Sequence, residues 1–187
     1  MKRILLTSLA ALLVASAANA AAKPYVAVKA GYVNQTAKAE GEEKTKAVGG
    51  FVGAIAGGAS FAIDSKIALR GELELGYSSV DGGEDELKLA DKTILVNGYL
   101  DVGDSSWAVK PYVGLSVGYV LGDADGVDSN GITYGAGIGA SYAVNDKLSV
   151  DLGARYLLAN RTTETPYGDF DSDTTTLSVV LGARYAF

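Results

Sequence analysis

Ile67-Ala68-Leu69-Arg70-Gly71-Glu72-Leu73-Glu74-Leu75-Gly76-Tyr77 is the stretch that decides the fold. Read in steps of two, it separates into Ile67, Leu69, Gly71, Leu73, Leu75 and Tyr77 on one side. Ala68, Arg70, Glu72, Glu74 and Gly76 fall on the other. Successive side chains of a strand point to opposite faces, so this segment is a strand with one apolar and one charged face. It is 11 residues long, and a tilted membrane-spanning strand needs about 9–11.

The same period finds seven more runs. Tyr25 to Val33 groups Val26, Val28, Ala30 and Tyr32 against Lys29, and Lys92 to Val102 sets Ile94, Val96, Leu100 and Val102 against Asn97, Tyr99 and Asp101. Trp107 to Leu121, Ile132 to Val144, Leu148 to Leu157 and Thr174 to Phe187 alternate in the same way. Ala47 to Ile63 is rich in Gly and less regular, so its register stays open. The connections between runs are 13, 3, 11, 4, 10, 3 and 15 residues, long and short in strict alternation. Outer-membrane barrels have long outside loops and short periplasmic turns, and an even strand number puts both chain ends on the periplasmic side. An open sheet in lipid leaves backbone groups unpaired, so the sheet must close. The predicted fold is all-β: an eight-stranded antiparallel transmembrane up-and-down β-barrel.

A soluble eight-stranded barrel would bury the apolar face instead. The composition of the second face argues against that. Apart from its charges it is largely Gly, Ala and Ser, which suits a narrow lumen. Tyr32, Tyr77, Tyr119, Tyr134, Tyr142, Tyr156 and Tyr185 lie at or near the ends of apolar rows, as in the aromatic girdles of membrane barrels.

The first 20 residues read as a secretory signal peptide: Lys2 and Arg3, an apolar run from Ile4 to Ala15, and Ala18-Asn19-Ala20 as the cleavage motif. Cleavage is expected between Ala20 and Ala21, leaving 21–187 as the barrel domain. The apolar run is shorter than the ~20 residues of a spanning helix. The precursor has 16 basic and 22 acidic residues; the signal carries two of the basic ones and no acidic one, so the mature chain has 14 and 22, a net −8. That balance excludes nucleic acid as a partner, since phosphate binding needs a basic face. There is no Cys and therefore no disulfide.

At its C-terminal half the chain resembles the opacity-protein and OmpA-like family of small outer-membrane β-barrels. Lys110-Pro111-Tyr112-Val113-Gly114 with Val117-Gly118-Tyr119 is similar to that family's fifth strand. Tyr142 to Tyr156 is similar to its last periplasmic hairpin, and Leu181-Gly182-Ala183-Arg184-Tyr185-Ala186-Phe187 to its closing strand. The resemblance implies an outer-membrane location with loops at the cell surface, contact with lipid and lipopolysaccharide, and insertion through the barrel assembly machinery. It also implies that Tyr185 and Phe187 serve that insertion. The family includes adhesins, surface antigens and envelope-stabilising proteins, so it names no single ligand.

Candidate sites fall in two places. The inward face collects Lys29, Arg70, Arg155 and Arg184 against Glu72, Glu74, Asp101 and Asp151, four charges of each sign. Buried charges persist when paired and hydrogen-bonded, so these eight are expected to form a lumen network that fills the barrel. The alternative is a narrow gated channel or porin-like protein, opened by exchange of partners. The long connections Asn34–Lys46, Asp81–Asp91, Gly122–Gly131 and Ala159–Asp173 are expected as surface loops; the last three carry net charges of −4, −3 and −3. Pro166, Tyr167 and Phe170 give the last one apolar anchors for contact with a host surface or matrix. Asp123-x-Asp125-Gly126-x-Asp128 lacks the order and closing Glu of an EF-hand, and no metal or cofactor is expected. Gly135-x-Gly137-x-Gly139 lies inside a strand with no following Lys, unlike a phosphate-binding loop. The chain has no His, so a Ser–His or metal–His catalytic site is impossible and no enzyme is expected. The expected function is structural or recognition-based, carried by surface loops.

Overall fold

The computed structural model describes residues 22–39, 48–81, 88–104, 106–124, 127–165 and 168–187. Eight strands follow in chain order: β1 (Ala22–Ala39), β2 (Val48–Ala62), β3 (Ile67–Asp81), β4 (Lys88–Val102), β5 (Val109–Ala124), β6 (Val127–Ala143), β7 (Leu148–Thr165) and β8 (Gly168–Ala186). Each pairs antiparallel with its neighbours in sequence, and β8 returns to β1 to close the barrel. The predicted cleavage site at Ala20 and Ala21 lies outside the described residues.

The faces are those of a barrel that lives in lipid. Arg70, Glu72, Glu74, Asn97 and Asp101 are buried in the interior, whereas Val28, Ile55, Val113, Leu115, Ile138 and Leu181 are exposed on the outer wall, Leu115 to 70 %. A soluble barrel would have this distribution reversed.

One end is closed by short turns whose chemistry is local. Asp64 Oδ1 accepts from the amides of Lys66 and Ile67 at 2.6 and 2.8 Å, and Asn145 Oδ1 accepts from Lys147 and Leu148 at 2.9 and 2.8 Å. A side chain that bonds its own backbone two or three residues on fixes a tight turn. Gly103 opens the third turn at φ +143°, where a Cβ would also meet the Trp107 ring at 2.9 Å. The Gly103 amide donates to Lys66 O, tying two adjacent turns together.

The other end differs from the sequence expectation. The segments read as loops are largely strand. β7 continues to Thr165 and β8 begins at Gly168, so the proposed 15-residue connection Ala159–Asp173 is mostly a paired hairpin. β1, β3, β4, β5 and β6 likewise run into the other three connections. Backbone pairing does not require lipid. An alternation test keyed to apolar side chains stops at the membrane boundary, and the strands do not. β7 and β8 have 18 and 19 residues, against about 10 for a membrane span. The excess is ~8 residues, or ~26 Å of strand at ~3.3 Å each. This end therefore stands above the bilayer as a crown.

The Gly-rich β2 now has a register. Gly58 lies opposite Tyr25 and Glu72, Ala56 opposite Glu74, and Ala54 opposite Lys29. Its inner face is small because long side chains from β1 and β3 meet across it.

Candidate functional site

The eight predicted lumen charges are all inside the barrel and form two ion-paired groups. In the first, Lys29 of β1 reaches over β2 to Glu72 and Glu74 of β3, bonding Glu74 at 2.6 Å and Glu72 through a very short contact. Glu74, with 0 % exposure, also accepts from Arg155 at 2.8 Å. Asn97 Nδ2 donates to both carboxylates at 3.1 and 3.2 Å, and the Tyr25 hydroxyl donates to Glu72 at 3.2 Å. In the second group Arg70 holds Asp101 with two parallel bonds of 2.6 and 2.9 Å. Asp151 lies 3.7 Å from Arg70 and 3.3 Å from Arg184, which also donates to Ser141 Oγ at 2.9 Å.

Aromatic rings complete this floor of the lumen. The Arg70 guanidinium lies 4.6 Å from the Tyr99 ring centroid and 4.9 Å from that of Tyr112, the range of cation–π attraction. The two rings meet edge to face at 5.6 Å. Glycines on three strands make room for them: a Cβ at Gly139 on β6, or at Gly153 on β7, would collide with the Tyr112 ring or hydroxyl, and one at Gly114 on β5 with Tyr99. These glycines are cradles for inward tyrosines.

Above the charges, Val33, Leu95, Val120 and Leu157 are buried on the inner face around one small cavity, Leu95 completely. Higher still, Arg161 grips Asp91 with two bonds of 2.7 Å, and Gln35 donates to the same carboxylate at 2.7 Å. The lumen is thus layered: paired charges, an apolar septum, then a polar knot. Asp91 and Arg161, expected within the surface loops, are interior partners. Continuing the inward parity of Asp101, Tyr99 and Asn97 down to position 91, and of Asp151 and Arg155 up to 161, leads to both. The cavities left between these layers are small, about 50 Å³ beside Arg70 and about 40 Å³ beneath Arg161. Both are lined in part by polar groups and are large enough to hold water.

On the outer face of the crown, Asp123 stands opposite Asp128 on β5 and β6. Asn160 donates to Asp173 at 2.8 Å and Thr162 to Asp171 at 3.0 Å across β7 and β8, and the Tyr119 hydroxyl bonds Asn130 at 2.5 Å. Among the described residues no group of three or more His, Cys, Asp or Glu is arranged to hold a metal. Of the predicted contact residues, Pro166 and Tyr167 lie outside the described residues. Phe170 is not in a loop: it is part of β8, paired with Thr163. At the opposite end Tyr185 and Phe187 meet edge to face at 5.6 Å, and the Phe187 amide donates to Pro24 O at 3.0 Å across the β8–β1 seam.

A closed eight-stranded sheet with an apolar exterior, a charged and packed interior, and short turns at one end defines a transmembrane barrel of the outer-membrane class. The chain belongs to the family described as outer membrane protein beta-barrel domain, whose pattern matches residues 5–187, and its location is the bacterial outer membrane. It is 31 % identical over 183 residues to outer membrane protein PagN of Salmonella typhimurium strain LT2, covering 78 % of this chain and 75 % of that one. Neisserial surface protein A shares the fold at a TM-score of 0.57 with 22 % identity, over 87 % of this chain and 97 % of that one. The outer membrane enzyme PagL does so at 0.52 with 14 % identity, over 84 % and 97 %. The same barrel therefore occurs in a surface protein and in an enzyme, and function must be argued from residues.

Proposed function

We propose that the protein is a surface-exposed structural or recognition element of the outer membrane, carried by its crown, and neither a catalyst nor a bulk channel. The observation that carries this reading is the layered lumen. Paired charges, a layer of buried apolar side chains and the Asp91–Arg161 knot fill the interior, so the chemistry offered to the outside is that of the crown. The crown is acidic and polar, and loops on a rigid scaffold are where binding usually sits. Relationship to PagN and the fold shared with Neisserial surface protein A support a role at the surface. The lack of His in the chain supports a non-enzymatic reading.

The partners in this reading are lipid and lipopolysaccharide around the wall, and a host surface or matrix at the tips, with Pro166, Tyr167 and Phe170 as anchors. Residues 1–20 direct export and are cleaved after Ala20. Tyr185 and Phe187 present the assembly machinery with an exposed aromatic pair on the strand that closes the barrel. The test is replacement of 40–47, 82–87 and the hairpin tips 123–128 and 162–171, the last of which includes Phe170, by short Gly-Ser turns. A variant that inserts normally but loses adhesion to host cells or matrix supports recognition. Unchanged adhesion, with envelope fragility appearing only when the whole gene is deleted, assigns the protein a structural role instead.

A further inference from the structure

The outer wall is not uniformly covered. Where β8, β1, β2 and β3 meet, an apolar hollow of about 740 Å³ is lined by Val26, Val28, Ile55, Gly57, Leu73 and Tyr185, among others. Gly57 points outward, paired with Val26 and Leu73, and a Cβ there would meet nothing within 4 Å. Backbone crowding accounts for many of the barrel's other glycines; at Gly31 and Gly135 a Cβ would strike a neighbouring carbonyl. Gly57 has no such reason, and its effect is to leave the hollow open. Farther up β2 the outward Gly53 is different: a Cβ there would meet the Phe51 ring at 3.1 Å.

The hollow's position selects an occupant. It runs from the level of Pro24 and Ala59 to that of Val28 and Ile55. Four residue steps are ~13 Å of strand, and at ~45° tilt this is ~9 Å of depth in a ~30 Å hydrocarbon core. The lower end borders the short turns and the chain terminus, which is the periplasmic side of an outer-membrane barrel. The hollow therefore opens to the periplasmic leaflet. At its foot Lys147, in the β6–β7 turn, holds its ammonium 6.0 Å from the Tyr185 ring centroid, and none of the ion pairs among the described residues includes it. An apolar groove with a cation at the interfacial end complements an acyl chain ending in a phosphate.

We propose that this part of the wall is a phospholipid site of the periplasmic leaflet, with one acyl chain in the groove and the headgroup phosphate against Lys147. The assignment is independent of any surface recognition. The test is native mass spectrometry of the protein purified from outer membranes in detergent and titrated with phosphatidylglycerol. Wild type should hold one lipid per chain. Gly57→Leu fills the groove and should weaken binding at least tenfold; Lys147→Gln should weaken it several-fold. Gly98→Leu adds an equal side chain at another open outward position beyond the groove, and should bind as wild type does. Each variant is first confirmed folded by its heat-modifiable migration. Equal binding by wild type and Gly57→Leu would overturn the proposal. So would displacement of the phospholipid by lipid A, which would place the site in the other leaflet, or a wild-type dimer that Gly57→Leu dissociates, which would give the groove to a second copy.

Discussion

Replacing Glu74 by Gln should be among the most damaging single changes in the barrel. Glu74 is fully buried and serves three donors: Lys29 at 2.6 Å, Arg155 at 2.8 Å and Asn97 at 3.2 Å. Lys29 and Asn97 keep Glu72 as a second acceptor. Arg155 keeps no carboxylate, since Glu74 is its one ion-pair partner among the described residues. The change therefore strands one buried cation, and breaking a buried pair from one side costs about 3–5 kcal/mol. An exposed pair would cost about 0–1 kcal/mol. Urea unfolding in lipid vesicles, read by loss of the heat-modifiable band, measures the difference. The double variant Glu74→Leu with Arg155→Leu removes both charges while Lys29 retains Glu72, and it should recover most of the loss. A Glu74→Gln cost below about 1 kcal/mol, or a double variant worse than the single one, would refute the view that these charges are an obligate buried network.

Leu95→Ala opens the apolar septum and should cost about 2–5 kcal/mol by the usual cavity penalty; in planar bilayers wild type should show negligible conductance and Leu95→Ala brief small openings. Gly114→Val sets a Cβ into the Tyr99 ring with the nearest backbone atom at 3.4 Å, and should abolish the folded band, with partial rescue by Tyr99→Ala. Deleting Phe187, which removes its amide bond to Pro24 and its ring contact with Tyr185, should lower the outer-membrane yield and raise unfolded protein in the periplasm, as fractionation and immunoblotting would show.

How far the residues alone carried the reading depended on what each face had to satisfy. Ile67 to Tyr77 was readable because lipid on one side and a closed lumen on the other force strict alternation, and the same parity placed all eight charged lumen residues inside. The pairing within the network was not readable. Contacts such as Lys29 with Glu74 depend on Ala54 and Ala56 being small on the strand between them, which period two does not show. Strand length was underestimated because above the membrane the outer face turns polar. Asp91 and Arg161 consequently passed for solvated loop charges, although their parity already pointed inward. Val33, Leu95 and Leu157 broke the polar rule of the inner face, and that break was the available sign of a septum.

A surface role for the crown requires that its end of the barrel face the cell exterior. The chain has no Cys, so a single introduced thiol is a unique reporter. Asp171→Cys places it on the outer face of the crown and Asp146→Cys in the short β6–β7 turn, both at exposed positions. With a membrane-impermeant maleimide on intact cells, Cys at 171 should be labelled fully, and Cys at 146 only after the outer membrane is opened. Labelling at 146 but not at 171 in intact cells would invert the barrel and remove the crown from the surface.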